Sequence, residues 1–308
     1  MNKNAYLLFT VLTVALLPVF LYSQDYIRDS LAVRAILDSN KLDSLSVASV
    51  TDSSEGRIWR LKLRAKNLTT IPPEIGDLTA LKELELRNNT ITSLPPETGK
   101  LTELTRLYLS FNNLSSLPPD IGNLTRLTIL YIFFNELTSL PSEIGNLTNL
   151  AVLCIEGNHL TVLPPEVGNL GKLGCLTAHE NDITSIPPEI GNLASLVELN
   201  LARNELVTLP DSIVNLTPTV KLDLGYNKLD NTNLSDTVII WADIYDPDWR
   251  DTQPLLFNSS CTLKSQGNLI LRYIHKSIIN IQYYLPSSEN VLLEVSDLKG
   301  KLFLICLC

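Results

Sequence analysis

The sequence of 308 residues is poor in the side chains that carry most site chemistry. It has three histidines, five cysteines and one methionine, and aromatic residues make up only 6% of it. It also lacks an excess of basic charge, because 24 lysines and arginines stand against 33 aspartates and glutamates, for a net charge of -9. A negative surface repels phosphate backbones, so we expect no nucleic-acid partner.

Long apolar runs are absent beyond the N-terminal segment. Lys3 is followed by an apolar run from Leu7 to Leu17, which Pro18 interrupts, and then by the small residue Ser23. This layout predicts a signal peptide over residues 1–23 and an exported protein with no further transmembrane segment. A membrane anchor is the alternative, but the run is shorter than the roughly 20 residues that a spanning helix needs.

One asparagine recurs every 23 residues through the middle of the chain. The series is Asn89, Asn112, Asn135, Asn158, Asn181, Asn204 and Asn227. Leucines keep a fixed phase with it, since Leu104, Leu107 and Leu109 precede one asparagine while Leu114 and Leu117 follow it. A repeat held over seven asparagines predicts stacked copies of a single structural unit.

Alternation within each unit predicts a short β-strand. Leu84 and Leu86 should point to one side, and Glu83 and Glu85 to the other. Strands stacked about 4.8 Å apart would form a parallel sheet with the leucines behind it. Each asparagine then lies at a buried bend and needs backbone partners, because an unsatisfied buried polar group costs about 1–3 kcal/mol.

The pattern LxxLxLxxNxLxxLPxxIGxLxx resembles bacterial secreted leucine-rich repeat proteins of the 23-residue LPxxIG type. The match runs from Ile58 to about Leu229, over eight units, with Lys66 in place of the first asparagine. The resemblance implies an α/β fold, a horseshoe-shaped solenoid with a parallel concave sheet and a ladder of asparagines. Both ends of such a solenoid need covers.

Apolar residues over Ser30–Leu37 predict a capping helix before the first unit, and Leu234–Tyr245 is expected to close the other end. Asp246–Asp251 is predicted to be a turn leading into a linker. The full division is a signal peptide over 1–23, an N-terminal cap over 24–57, about eight repeats over 58–232, a C-terminal cap and linker over 233–260, and a small β region over 261–308.

Two alternating runs in the tail, Ile279–Pro286 and Asn290–Lys301, predict a β-hairpin. They resemble the C-terminal sorting domain of type IX secretion substrates, which implies a diderm bacterial envelope. That family continues with further strands, so the tail is predicted to be incomplete. A plain β appendage is the alternative.

Charged side chains of the first two units are expected to neutralise one another. Parallel register would pair Arg60 with Glu83 and Lys62 with Glu85, so this stripe is predicted to be neutral surface rather than an anion site. Exposed pairs of this kind add little stability.

Aromatic side chains concentrate in the third and fourth units. Tyr108 should lie beside Tyr131, and Phe111 beside Phe134, about 4.8 Å apart along the sheet. Contiguous exposed aromatic surface tends to mark an interface. The alternative is that the two phenylalanines are packing over the bend and only the tyrosines are exposed. The predicted ligand-binding residues are Arg106, Tyr108, Phe111, Ile129, Tyr131, Phe133, Phe134 and Glu156.

Cys154, Cys175 and His179 fall beside Glu156 on two adjacent strands, where such residues could hold a metal or act as nucleophile and base. No paired ligand motif exists, and the diagonal offset of the two cysteines exceeds the roughly 7 Å limit for a disulfide. Five cysteines in all (Cys154, Cys175, Cys261, Cys306 and Cys308) also show no disulfide spacing. We therefore predict no metal site, no cofactor and no catalysis.

The sequence thus predicts a secreted or cell-surface recognition module that binds a protein or peptide on a concave sheet. A carbohydrate-binding envelope protein is the second interpretation, with a glycan as ligand. A cysteine- and histidine-dependent enzyme is the third.

Overall fold

The computed structural model describes residues 24–216 and 221–253, together with the backbone of four short strands between 268 and 307. The predicted signal peptide lies outside the described residues. The chain divides into two compact units, Met1–Pro254 and Leu255–Cys308.

The first unit begins with two helices and continues as a sheet. Helix α1 covers 24–39, α2 covers Val47–Val50, and α3 covers Asp236–Tyr245 after the last strand. The strands are β1 (Thr51–Ser54), β2 (Arg57–Lys62), β3 (Glu83–Glu85), β4 (Arg106–Tyr108), β5 (Ile129–Tyr131), β6 (Val152–Cys154), β7 (Cys175–Thr177), β8 (Glu198–Asn200) and β9 (Lys221–Asp223).

These nine strands form one sheet in the order of the chain. Strand β1 runs antiparallel to β2, and β2 to β9 are parallel. Leu84, Leu107, Leu130 and Leu153 are register partners and fully buried. The predicted buried row of leucines is therefore confirmed.

Prolines start the return arm of each unit. Pro118 takes an extended conformation and caps a 3-10 helix, from which Ile121 and Leu124 point into the core. Gly122 lies so close to the next unit that a Cβ would approach the Glu143 carbonyl oxygen to 2.6 Å, so no side chain fits. The 3-10 helices are Pro73–Asp77, Pro96–Lys100, Pro119–Asn123, Ser142–Asn146, Pro165–Asn169, Pro188–Asn192 and Asp211–Asn215.

The repeated asparagines form the expected ladder. Asn112 Oδ1 accepts a hydrogen bond from the Ile91 amide at 3.1 Å. Its Nδ2 donates to the carbonyls of Leu86 and Leu109 at 3.0 and 2.8 Å. Each side chain thus satisfies backbone groups of its own unit and of the preceding one, which removes the penalty for burying them.

The N-terminal cap is held by two polar side chains. Helix α1 is longer than the predicted Ser30–Leu37, and its buried Asp29 accepts hydrogen bonds from Arg57 and from the Ile58 amide. Asn40, just after α1, accepts from the Thr69 amide at 2.8 Å and donates to the Thr70 carbonyl at 2.9 Å. These contacts fasten the cap to the first repeat.

The C-terminal cap extends beyond the predicted closing element. Trp249 is 1% exposed, and Gln253 accepts from the Leu229 amide at 3.1 Å while donating to the Leu224 carbonyl at 3.1 Å. Gln253 therefore continues the asparagine ladder. The predicted turn at Asp246–Asp251 is confirmed, and the chain remains bonded to the last repeat as far as Gln253, so the cap is longer than the predicted closing element Leu234–Tyr245.

The second unit contains β10 (Asn268–Arg272), β11 (Asn280–Tyr284), β12 (Val291–Ser296) and β13 (Leu302–Leu307). Strand β11 pairs with β10, and β12 pairs with β13, both antiparallel. The predicted hairpin between the runs containing β11 and β12 is thus wrong for the described strands, because each of these strands pairs with a different neighbour.

Candidate functional site

One face of the sheet carries the side chains that alternate with the buried leucines, and we call it the open face. We number the places of each unit from its first leucine. The open face then consists of the residues at places three, five, seven and eight. In the third unit these are Arg106, Tyr108, Ser110 and Phe111. Parallel register brings equivalent places together, so each place forms a column across the strands.

The first two units of the open face are an ion-pair network. Arg60 pairs with Glu83 at 2.8 Å, as predicted. Lys62 contacts Asp52 of β1 at 2.8 Å rather than its register partner Glu85, which corrects the second predicted pair. Glu85 is instead held by Arg87 through two hydrogen bonds of 2.7 and 2.6 Å.

Five rings on β4, β5 and the bends that follow form a continuous group, the aromatic cluster. Its members are Tyr108, Phe111, Tyr131, Phe133 and Phe134. The Tyr108 and Tyr131 centroids are 5.4 Å apart, and Phe111 stacks on Phe134 at 5.0 Å. Phe133 joins the two pairs, with centroids 6.0 Å from Tyr131 and 5.4 Å from Phe111.

Phe111 and Phe134 are the most exposed members of the aromatic cluster. Phe111 is 45% exposed and Phe134 is 42% exposed, whereas both tyrosines are half-buried. The alternative interpretation, in which these phenylalanines are packing and only the tyrosines face solvent, is therefore wrong. The reason is the backbone: Phe111 and Phe134 have φ values of 57° and 52°, so the bend turns their rings outward.

A glycine supports the aromatic cluster from the next unit. Gly157 has a φ of +63°, and a Cβ there would lie 2.4 Å from the Phe134 ring. The ring therefore occupies the space that a side chain at this place would need. Sequence reasoning missed this residue, although Gly157 is the only glycine in the place-eight column.

Charged groups border the aromatic cluster at both sides. The Arg87 guanidinium lies over the Tyr108 ring at 4.8 Å, and its hydrogen bonds to Glu85 raise the pKa of Arg87. The Arg106 side chain is 52% exposed and contacts Glu83 at 3.3 Å. On the other side, Glu156 accepts a hydrogen bond from the Thr177 hydroxyl at 2.5 Å.

The remaining predicted residue, Ile129, lies on β5 between Arg106 and Val152 in the register and is half-buried. All eight predicted residues thus fall on one continuous stretch of the open face. Burial raises the pKa of Tyr108 and of Tyr131, so both phenols stay protonated at neutral pH.

Comparison with known protein families agrees with this architecture. The leucine-rich repeat region family matches residues 37–139, and the Leucine Rich Repeat family matches residues 195–216. The fold is a leucine-rich repeat solenoid. No curated protein sequence matches the chain significantly.

Solved structures similar to this leucine-rich repeat solenoid come from bacteria and plants. A leucine-rich repeat protein of Leptospira interrogans is 40% identical, with a TM-score of 0.50, over 52% of this chain and 41% of that one. The leucine-rich repeat ectodomain of the Arabidopsis thaliana receptor kinase GASSHO1/SCHENGEN3, in complex with CASPARIAN STRIP INTEGRITY FACTOR 2, is 35% identical, with a TM-score of 0.51, over 57% and 23%. The PEPR1–AtPEP1 structure is 29% identical, with a TM-score of 0.57, over 65% and 32%.

This chain spans less than half the length of each of these three structures. Among its described residues, no helix combines the length and apolar character needed to cross a bilayer.

Two free thiols lie beside the aromatic cluster of the leucine-rich repeat solenoid. Cys154 is the register partner of Thr177, and Cys175 that of Val152, which confirms the predicted diagonal offset. A hydrogen bond to Cys175, together with burial, raises the pKa of Cys154, while the same bond lowers the pKa of Cys175. The Cys175 thiol also donates to Glu198 at 3.8 Å.

These thiols do not complete a catalytic or metal-binding group within the described part of the chain. Neither forms a hydrogen bond with His179, whose Nδ1 atom is buried without a partner. A nucleophile and its base need such contact. Residues 24–216 and 221–253 also hold no group of three or more histidine, cysteine, aspartate or glutamate side chains that could bind a metal.

Proposed function

We propose that this leucine-rich repeat solenoid is an extracellular or cell-surface recognition module that binds a protein or peptide on its open face. The aromatic cluster is the observation that carries the proposal. Its rings contact one another on a solvent-facing sheet, and two of them are more than two-fifths exposed. Exposed apolar surface of this kind tends to mark an interaction site, and aromatic residues tend to dominate binding energy.

The anchors in this proposal are Tyr108, Tyr131, Phe133 and Phe134, with Phe111 stacked on the last of them. Parallel register and the bend conformation fix these side chains before any ligand arrives, so binding costs little conformational entropy. One of the similar solved structures is a leucine-rich repeat ectodomain of a receptor kinase, GASSHO1/SCHENGEN3, in complex with CASPARIAN STRIP INTEGRITY FACTOR 2, and another is the PEPR1–AtPEP1 structure. These structures support a polypeptide ligand for this chain as well.

A glycan is less well supported by the ring geometry. Stacking a sugar requires an open ring face with hydrogen-bonding groups around it. The guanidinium of Arg87 covers the Tyr108 ring, and Phe111 and Phe134 stack on each other. The Ser110 hydroxyl within this stretch is buried. The aromatic cluster therefore suits apolar side chains better than sugar hydroxyls, and no catalytic step is part of the role.

The extracellular location belongs to the same proposal and rests on the signal-peptide pattern of residues 1–23. The sorting-like pattern of residues 261–308 adds a diderm bacterial envelope. The division into cap, repeats, cap and tail is retained, with the C-terminal cap extended to Gln253 because that residue is bonded to the last repeat.

Selection from a displayed library of random peptides tests this function. We expect the full chain to enrich peptides that bind the native protein but do not bind the double variant Phe111→Ala/Phe134→Ala. Tyr226→Ala is the matched control, because Tyr226 occupies place eight of the last unit, is 43% exposed and lies under Arg203, outside the aromatic cluster. Enrichment that is equal for the native chain and the double variant would contradict the proposal.

A further inference from the structure

Charges on the open face are distributed unevenly around the aromatic cluster. In the first three units, which contain β2, β3 and β4, places three, five, seven and eight hold five basic and two acidic residues. The basic residues are Arg60, Lys62, Arg64, Arg87 and Arg106, and the acidic ones are Glu83 and Glu85. Asp52 of β1 adds one carboxylate next to Arg60 and Lys62. This side of the face is net positive.

The sign reverses beyond β5. In the last four units the same places hold four acidic and two basic residues. They are Glu156, Glu180, Glu198 and Asp223 against Arg203 and Lys221. The unit of β5 has no charged residue in these places, because they are Ile129, Tyr131, Phe133 and Phe134. The aromatic cluster therefore separates a positive region from a negative one.

Ion pairing leaves one basic group partly compensated and one acidic group without a cation partner next to the aromatic cluster. Glu83 is shared by Arg60 and Arg106, so two guanidiniums meet one carboxylate. Glu156 has no cation partner in the described part of the chain, and only the Thr177 hydroxyl donates to it. Two other acidic residues of the same region are paired with cations, Glu198 with Lys221 at 3.1 Å and Glu180 with Arg203 at 3.8 Å. Arg106, which is largely exposed and shares its carboxylate with Arg60, and Glu156, which has no cation partner among the described residues, are thus the opposite charges beside the aromatic cluster.

From this arrangement we infer that the ligand is a peptide segment with a fixed order of charges. A bulky apolar side chain lies on the aromatic cluster, a carboxylate lies toward Arg106, and a basic side chain lies toward Glu156. The inference rests on the proposed function and adds the chemistry of its ligand. Complementary charges of this kind set orientation and partner choice more than they raise affinity.

The strand spacing sets the separation of those ligand charges. Arg106 is at place three on β4, and Glu156 is at place seven after β6, so the two lie about 10 Å apart across the strands and about 13 Å apart along them, which is about 16 Å on the diagonal. An extended peptide that crosses the strands advances about 3.3 Å per residue. The acidic and basic residues of the ligand should therefore be about five residues apart, on opposite sides of the apolar one.

The experiment uses peptides selected on the full chain that require Phe111 and Phe134 for binding. We expect them to carry an acidic and a basic residue on either side of an apolar one. Arg106→Glu and Glu156→Lys should each weaken such a peptide about tenfold, because each places like charges together. The double variant should bind a peptide whose acidic and basic residues have been exchanged better than either single variant does, because the exchange restores both pairs.

The possible results separate this inference from the proposed function. Peptides that depend on the phenylalanines but bind Arg106→Glu and Glu156→Lys as tightly as the native chain would overturn the charge order alone. If no peptide distinguishes the native chain from Phe111→Ala/Phe134→Ala, the proposed function fails as well. Thermal unfolding of each variant serves as the check that the solenoid is intact.

Discussion

Two adjacent columns of the solenoid share one backbone bend and behave in opposite ways. Place nine is asparagine in seven successive units, and each of these side chains is buried. Place eight differs in nearly every unit although its φ is positive throughout, at Asn88, Phe111, Phe134, Gly157, Glu180, Arg203 and Tyr226. The bend dictates the inward side chain, because buried backbone groups need a partner, and leaves the outward one free.

The comparison teaches where specificity can be placed in this fold. A bulky residue with positive φ is unfavourable by itself, so Phe111 and Phe134 are held in that conformation by the surrounding ladder. The hydrogen bonds of the asparagine column thus offset the conformational strain of the residues at place eight. The two columns can be tested separately, because substitutions in each should have different consequences.

Removing one asparagine of the ladder should have the largest effect on stability. Asn135→Ala deletes hydrogen bonds to the Leu114 amide at 3.0 Å and to the Leu109 and Ile132 carbonyls at 3.1 Å each. We expect a loss of about 3 kcal/mol in the free energy of unfolding, because several buried backbone groups lose their partner. Urea denaturation measures this as a lower midpoint with an unchanged slope.

Asn113→Ala is the matched control for the ladder, since Asn113 is an exposed asparagine directly after the buried Asn112. It should change the free energy of unfolding by less than about 0.5 kcal/mol, as surface substitutions usually do. Equal losses for Asn135→Ala and Asn113→Ala would mean that a buried asparagine of the ladder contributes no more to the free energy of unfolding than an exposed one.

The columns were predictable because they follow the repeat. The period, the parallel register, the buried leucines and the adjacency of Tyr108 to Tyr131 all derive from phase alone. Gln253 was not predictable, because it continues the ladder from a cap that has left the 23-residue period. The ion pair between Lys62 and Asp52 was not predictable either, because Asp52 belongs to β1 and lies outside the repeat.

Side-chain contacts between neighbouring units also cannot be predicted from the sequence pattern within one unit. The space above Gly157 is filled by Phe134, a residue of the previous turn, and only three-dimensional contact shows why a side chain is missing there. The exposure of Phe111 and Phe134 depends in the same way on the bend rather than on hydrophobicity.

Adding one methyl group at place eight should have an intermediate effect. Gly157→Ala forces a side chain into a backbone with a φ of +63° and brings it within 2.4 Å of the Phe134 ring. We expect a loss of about 1–2 kcal/mol in the free energy of unfolding. Gly171→Ala is the control, because a Cβ there would meet nothing within 4 Å. An unchanged midpoint for Gly157→Ala would show that Phe134 does not depend on this glycine.

The smallest expected effect is a difference in the reactivity of Cys154 and Cys175, two residues of the variable columns, with no change in stability. The hydrogen bond from Cys154 lowers the pKa of Cys175, whereas the same bond and burial raise the pKa of Cys154. A thiol with a lower pKa is a larger fraction thiolate at any given pH, and the thiolate is the species that reacts. Iodoacetamide at pH 8 should therefore alkylate Cys175 faster than Cys154, because the larger thiolate fraction of Cys175 outweighs the lower nucleophilicity of its thiolate.

Mass spectrometry of the separated peptides measures the two rates, and Cys154→Ala tests their cause. This variant removes the hydrogen bond that lowers the pKa of Cys175, while burial and the Glu198 carboxylate, which both raise it, remain in place. Alkylation of Cys175 should consequently become slower and shift to higher pH. A faster or unchanged reaction in Cys154→Ala would mean that Cys154 does not stabilise the Cys175 thiolate, and that neighbouring places on the open face act independently.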